Sequence, residues 1–187
     1  AGLIERIGME DAVVTLKYNG QKKSKTLSIP NHAEAVEILL KSLVEENIVS
    51  SLEEINGVGH RVVHGGEKFA QSIVIDEEVA ATIEELKDLA PLHNPGAVMA
   101  IKAFKEVLPD VLMSVVFDTA FHQTMDKETF LYPVPYKWYT EYGVRKYGFH
   151  GTSHKYITLK MKEKLGKEDV NLIICHIGSI CDWTIVL

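Results

Sequence analysis

Arg61, Asp118 and a run of histidines are the residues whose types and settings could do chemistry in this chain. Arg61 stands among apolar neighbours in INGVGHRVV (55–63), just ahead of HGGE. Its planar fork suits a carboxylate or phosphate, which it can hold with paired hydrogen bonds. It could equally be an edge-strand arginine with its head in water. Gly65-Gly66 could let backbone N–H groups come close to an anion. Asp118 closes the apolar run VLMSVVF (111–117). Ligands of open α/β sheets bind beyond the carboxyl ends of the strands, so Asp118 is either a catalytic or orienting group, or a helix cap. Every histidine but His32 lies in or beside a short turn containing Gly, Pro or Asp, a placement that favours a polar site. His60 and His64 are spaced for a metal on a helix, but the valines and glycines after His60 predict a strand, and no third ligand is near.

The elements that must position these groups are legible as pattern. Residues 12–18 alternate like a half-buried strand, Asn19-Gly20 signals a hairpin turn, and residues 21–29 return. Asn31 with Glu34 predicts a capped helix that buries Val36, Leu39, Leu40, Leu43 and Val44. A second helix opens at Asp76, with Val79, Ile83, Leu86 and Leu89 inward. Asn94 as cap and Pro95 at the first helical position start a third, which buries Val98, Ile101, Phe104 and Leu108. Residues 111–117 then predict a strand buried on both faces. The aromatic and proline-rich stretch 130–149 reads as a linker between lobes. Ser153 caps a helix that buries Tyr156, Ile157, Met161 and Leu165 and stops at Gly166, and 171–177 is a further apolar strand. The alternation indicates an α/β fold with a mixed sheet.

Composition narrows the classes. A net charge of −6 argues against nucleic acid or an anionic membrane as partner. No apolar run is long enough for a bilayer span, and AGLIERIGMEDAVV is not a signal peptide. A cytoplasmic location is expected. Cys175 and Cys181 predict small apolar residues in a reducing compartment rather than a disulfide framework.

Five segments together are specific: GHRVVHGGE (59–67), APLHNP (90–95), VFDTAFH (116–122), YPVPY (132–136) and YGFHGTSHKY (147–156). In order and approximate spacing the chain resembles the acetate kinase family, within the acetate and sugar kinase/heat-shock cognate/actin superfamily. The resemblance implies a ribonuclease-H-like mixed sheet with flanking helices, in an incomplete two-lobe kinase fold. Residues 1–121 would be an N-terminal lobe lacking its first strand, and 122–187 a linker and the start of the C-terminal lobe. It implies reversible transfer of the γ-phosphoryl group of ATP to acetate, giving acetyl phosphate and ADP, with Mg2+, in a homodimer of the full-length parent. At matching positions Arg61 looks like the arginine that binds the substrate carboxylate and transferring phosphoryl, Asp118 like the active-site carboxylate, and His150 like the histidine that stabilises the transition state; these three are the expected catalytic residues. His93 looks like an accessory substrate-site histidine. Val63, Leu92 and Phe149 look like walls around the acetate methyl. His176 and Gly178 look like the start of the nucleotide phosphate loop. Acetate is already ionised at neutral pH, so Asp118 is expected to orient rather than to abstract a proton.

The chain also departs from that pattern. The family's opening phosphate loop precedes the first residue here, and no metal ligand is expected within the chain. The nucleotide loop, His-x-Gly-Asn-Gly in the family, reads His176-Ile177-Gly178-Ser179-Ile180. A β-branched residue at the second glycine position resists positive φ and close phosphate approach. The expectation is a fragment, inactive alone, from a carboxylate kinase. A propionate or butyrate kinase, or a non-catalytic truncated module that binds an anion or a partner, are the alternatives; one methylene is worth only about 1–3 kcal/mol in an apolar pocket.

Overall fold

The structure, a computed structural model, describes all 187 residues. It forms two units that interleave in sequence, residues 1–58 with 95–113 and residues 59–94 with 114–187. The sequence predicts a single cut, at 121/122.

The first unit is built on an antiparallel sheet of β1 (Gly2–Glu5), β2 (Met9–Tyr18) and β3 (Gln21–Ile29). Asn19 and Gly20 both take positive φ, as a two-residue hairpin turn demands, and Tyr18 faces Gln21 across it. Ala12, Val14 and Ile29 on one sheet face meet Ala35 of α1 (His32–Glu45) in a small core. Asn31 caps α1, its side chain accepting from the Glu34 N–H at 2.9 Å. β1 has no alternating signal of its own; pairing with β2 makes it a strand.

The chain passes between the units within β4 (Gly57–Val62), at the first residue of α3 (Asn94–Val107), and within β6 (Leu112–Phe117). β6 is the middle strand of a three-stranded sheet, between β4 and β5 (Ile73–Val74), and it pairs antiparallel with β5. Its exposure alternates. Met113, Val115 and Phe117 are buried and Leu112 is 59% exposed, so it is not the two-face-buried strand that its apolar run suggests.

In the second unit Asp76 caps α2 (Glu77–Glu85) through the Val79 N–H at 2.8 Å. Val79 and Ile83 are buried as expected, but Leu89 is exposed, because a 3-10 turn after α2 rotates it off the helical stripe. The stretch 130–149, read from sequence as a linker, follows α4 (Lys127–Phe130) and contains α5 (Lys137–Tyr142), which carries Trp138. α6 (Gly151–Leu165) follows and ends at Gly166 in the left-handed region. β7 (Leu172–Ile177) pairs with β8 (Cys181–Val186) as a hairpin, Leu172 opposite Val186 and His176 opposite Asp182. Cys175 and Cys181 are free and exposed rather than buried. No helix is long and apolar enough to cross a membrane.

Candidate active site

The site grows from the ends of β4 and β6. The Asp118 N–H donates to the Val62 carbonyl at 3.0 Å, which aligns the two strand ends and brings Arg61 beside Asp118. The Arg61 guanidinium then donates twice to one carboxylate, from Nε to Oδ1 at 3.0 Å and from Nη2 to Oδ2 at 2.6 Å. Asp118 is buried while the arginine side chain is 58% exposed, so the pair has a dry floor and a wet rim. The carboxylate holds the guanidinium firmly charged, raising its already high pKa. Only part of the fork is used, and its remaining N–H donors are available to an incoming anion.

Asp118 is also where α6 begins. Its backbone carbonyl accepts the Gly151 N–H at 2.9 Å, and Oδ1 accepts the Thr152 hydroxyl at 3.2 Å. A side chain at Gly151 would overlap that carbonyl, so glycine is required for the approach. Asp118 therefore fastens α6 from outside, and Ser153 is not the helix cap. That place falls to His150, held at φ 50°, a conformation that costs a non-glycine residue on the order of 1–3 kcal/mol. Ser153 instead lies in the first turn, its Oγ 3.2 Å from His176 Nδ1. The buried face of α6 is Gly151, His154 and Thr158, while Tyr156, Ile157 and Leu165 are exposed.

Histidines crowd this helix start. The His150 and His176 rings stack with centroids 4.0 Å apart, and Asp182 lies 3.1 Å from both His150 Nδ1 and His154 Nε2. Burial alone would raise the Asp182 carboxyl, but its contacts with His150 and His154 prevail and hold it below its usual range. His122 donates from Nε2 to the Phe149 carbonyl at 2.9 Å, and burial lowers its imidazole against that bond. His64 is buried and neutral, its Nδ1 accepting the Gly66 N–H at 3.0 Å, and burial lowers it too.

The glycine pair does not offer its N–H groups to an anion. Gly65 donates to Thr119 Oγ1 at 3.0 Å and Gly66 to His64. Asn94 is likewise not a simple cap. Its amide pairs with the His64 backbone in both directions, at 2.9 and 3.2 Å.

Arg61, Asp118 and Thr152 thus meet directly, while His150, one residue before the Gly151 N–H that binds Asp118, contacts Asp182 and His176. Phe149, half-buried, makes an edge contact with the His64 ring at 5.5 Å, and Val63 is half-buried next to it in sequence. Leu92 and His93 lie in an exposed turn just before α3. Leu92 is 90% exposed. Gly178 begins the β7–β8 turn and takes no positive φ. A cleft of about 920 Å³ is lined by His122, Phe149, Lys155, Asp182 and Trp183, but not by Arg61 or Asp118.

Sequence reasoning missed a second ion pair. Arg145 is buried, with its Cζ 3.8 Å from the Phe130 ring centroid and 4.7 Å from that of Tyr147. It pairs with Glu67, which also accepts the Tyr139 hydroxyl at 3.1 Å. The stretch 130–149 is fastened to the HGGE turn in this way, and Tyr147 is set against His64 at 4.5 Å.

Fold and site together define an α/β protein that gathers a guanidinium, a buried carboxylate and imidazoles where an anion could be received. The chain belongs to the acetokinase family, whose model matches residues 1–186. An acetate kinase of Bacillus mycoides is 59% identical over 180 residues, which is 95% of this chain and 45% of that relative. An acetate kinase of Geobacillus sp. is 56% identical over the same length. Among solved structures, Porphyromonas gingivalis acetate kinase superposes with a TM-score of 0.95 at 40% identity, covering 99% of this chain and 48% of its own. A propionate kinase from Francisella tularensis gives 0.93 at 38% identity, over 100% and 47%. The chain spans about half the length of these relatives.

Proposed function

We propose that the gene product carrying this chain is a carboxylate kinase, transferring the γ-phosphoryl group of ATP reversibly to acetate. The observation that carries the reading is the two-pronged Arg61–Asp118 contact, at the start of the helix that His150 precedes. In this reading Arg61 binds the acetate carboxylate and the phosphoryl group in flight with the donors that Asp118 leaves unused. Asp118 fixes the plane of the guanidinium; accepting from Arg61 and Thr152, it serves to orient rather than to abstract a proton. His150 adds a hydrogen-bond donor to the equatorial oxygens. Phosphoryl transfer asks mainly for such positioning and charge neutralisation. Val63 and Phe149 supply apolar surface for the methyl group, with His93 as an accessory substrate contact.

ATP is the donor substrate, and His176 with Gly178 is the proposed start of its phosphate loop. Magnesium is expected to accompany it, but the residues here do not fit as its ligands. No group of three His, Cys, Asp or Glu is arranged for a metal, and Asp118 already accepts three hydrogen bonds, from Arg61 and Thr152. No step in this chain is assigned to it. By itself the 187-residue chain is expected not to turn over. We keep the lobe boundary at 121/122, homodimerisation and a cytoplasmic location, where ATP is at hand, as parts of the same proposal. Propionate is the second candidate acceptor, favoured by the close fit to a propionate kinase and by the exposure of Leu92.

The test is a hydroxamate assay on the whole gene product with magnesium-ATP and acetate or propionate. ATP-dependent acyl phosphate should form, and Arg61→Ala should lower the rate by roughly 10³–10⁵. Arg61→Lys should rescue little, because an ammonium does not reproduce the fork. Near-normal rates in both variants would reduce Arg61 to a structural role.

A further inference from the structure

We infer that Asp182 is a positioning residue that selects the ring tautomer of His150, an inference that rests on the role proposed above for His150. The register of the β7–β8 hairpin sets Asp182 directly opposite His176. The face they share also carries Leu172, Ile174, Thr184 and Val186, and the other carries Ile173, Cys175, Ile177, Cys181, Trp183 and Ile185. A slip of one residue would turn Asp182 to the opposite face. In the observed register His176 lies flat against His150, and the Asp182 carboxylate reaches past it to two imidazoles of α6.

An ionised carboxylate only accepts hydrogen bonds and is repelled by a bare ring nitrogen, so a protonated nitrogen is favoured wherever an imidazole faces it. His154 faces it with Nε2, in a hydrogen bond of 3.1 Å. His154 Nδ1 is buried without a partner, which favours the neutral ring with its bare nitrogen there. His150 faces the same carboxylate with the other nitrogen. Its Nδ1 is shielded from solvent and lies 3.1 Å from Asp182 Oδ2, at ion-pair distance although off the line of a hydrogen bond. One carboxylate thus calls for opposite tautomers in two histidines a helical turn apart. The consequence for His150 is that Nδ1 is spoken for and Nε2 is the nitrogen with which it meets an anion. A carboxylate behind a histidine commonly fixes ring orientation and tautomer in this way. The stacked His176 adds orientation, since a ring face against a ring face limits rotation about the His150 side chain. Asp182 lies where the nucleotide-loop pattern has been lost, so neither the motif around His150 nor the loop motif points to it.

The test is long-range nitrogen–proton correlation on the full chain with labelled histidine, near pH 8.5, above the ordinary histidine range of about 6.5. His150 is expected as the Nδ1–H form and His154 as the Nε2–H form. In Asp182→Ala the Nδ1–H population of His150 should fall several-fold. If that variant does not fold, the unaltered chain decides by itself: His150 found with its proton on Nε2 overturns the inference. No ATP or acetate enters the measurement. A gene product without kinase activity would therefore sink the function and leave the tautomer result standing, while full activity with the wrong tautomer would sink only the role of Asp182.

Discussion

Gly151 donates its backbone N–H to the backbone carbonyl of Asp118 at 2.9 Å, and the helix that follows hangs from that bond. Gly151→Ala forces a methyl group into the carbonyl oxygen. The expected cost is about 1–3 kcal/mol, the usual scale of overpacking a tight contact, read as a lower urea midpoint by circular dichroism. An unchanged midpoint would mean that the helix start moves aside freely.

Arg145 is the side chain whose loss should spread furthest. Arg145→Ala removes the cation between Phe130 and Tyr147 and leaves Glu67 with only the Tyr139 hydroxyl. Because Glu67 is partly exposed, the expected loss is about 2 kcal/mol, less than for a fully buried pair. Arg145→Lys should recover less than half, since an ammonium does not stack between two rings as a guanidinium does. Paired urea titrations of the two variants check this, and full recovery by lysine would assign the stability to charge alone.

Stability should fall on acidification through the histidine range. Burial lowers His60, His64 and His122 in the folded chain, while the unfolded chain protonates near pH 6.5. As pH drops below about 6.5 the unfolded state gains protons first, so the stability present above that pH is progressively lost. Asp182, whose carboxyl is also lowered, acts in the same direction only below about pH 4. Urea midpoints should be level from pH 8 to 7 and decline from 7 to 5, less steeply in His122→Gln. A flat profile to pH 5 would show that these rings are solvated.

Much of the scaffold was legible because local rules act locally. The Asn19-Gly20 turn, the caps at Asn31 and Asp76 and the stop at Gly166 each depend on neighbours a few residues away, and each forms. Strands β1, β5 and β8 were missed because pairing rather than pattern makes them strands. The face of α6 was misread for a different reason. Hydropathy favours Tyr156, Ile157 and Leu165, but the helix buries His154 and Thr158, held by the contact of His154 Nε2 with Asp182 and by the Thr158 hydroxyl on the His154 carbonyl. In the site, Arg61 and Asp118 could be singled out as groups at or near strand ends. Thr152, Asp182 and the Arg145–Glu67 pair could not, since contacts between residues tens of positions apart leave no periodic trace.

The two tryptophans of the chain, Trp138 and Trp183, both belong to the unit formed by residues 59–94 and 114–187. Trp183 lies on the hairpin that carries Asp182, and Trp138 on the helix that follows the paired prolines. Intrinsic emission excited at the indole band therefore watches one unit and is blind to the other. The β1–β2–β3 sheet with α1 can melt without dimming it, whereas far-ultraviolet ellipticity records both. Divergence between the two signals is then a direct reading of whether the units unfold as one.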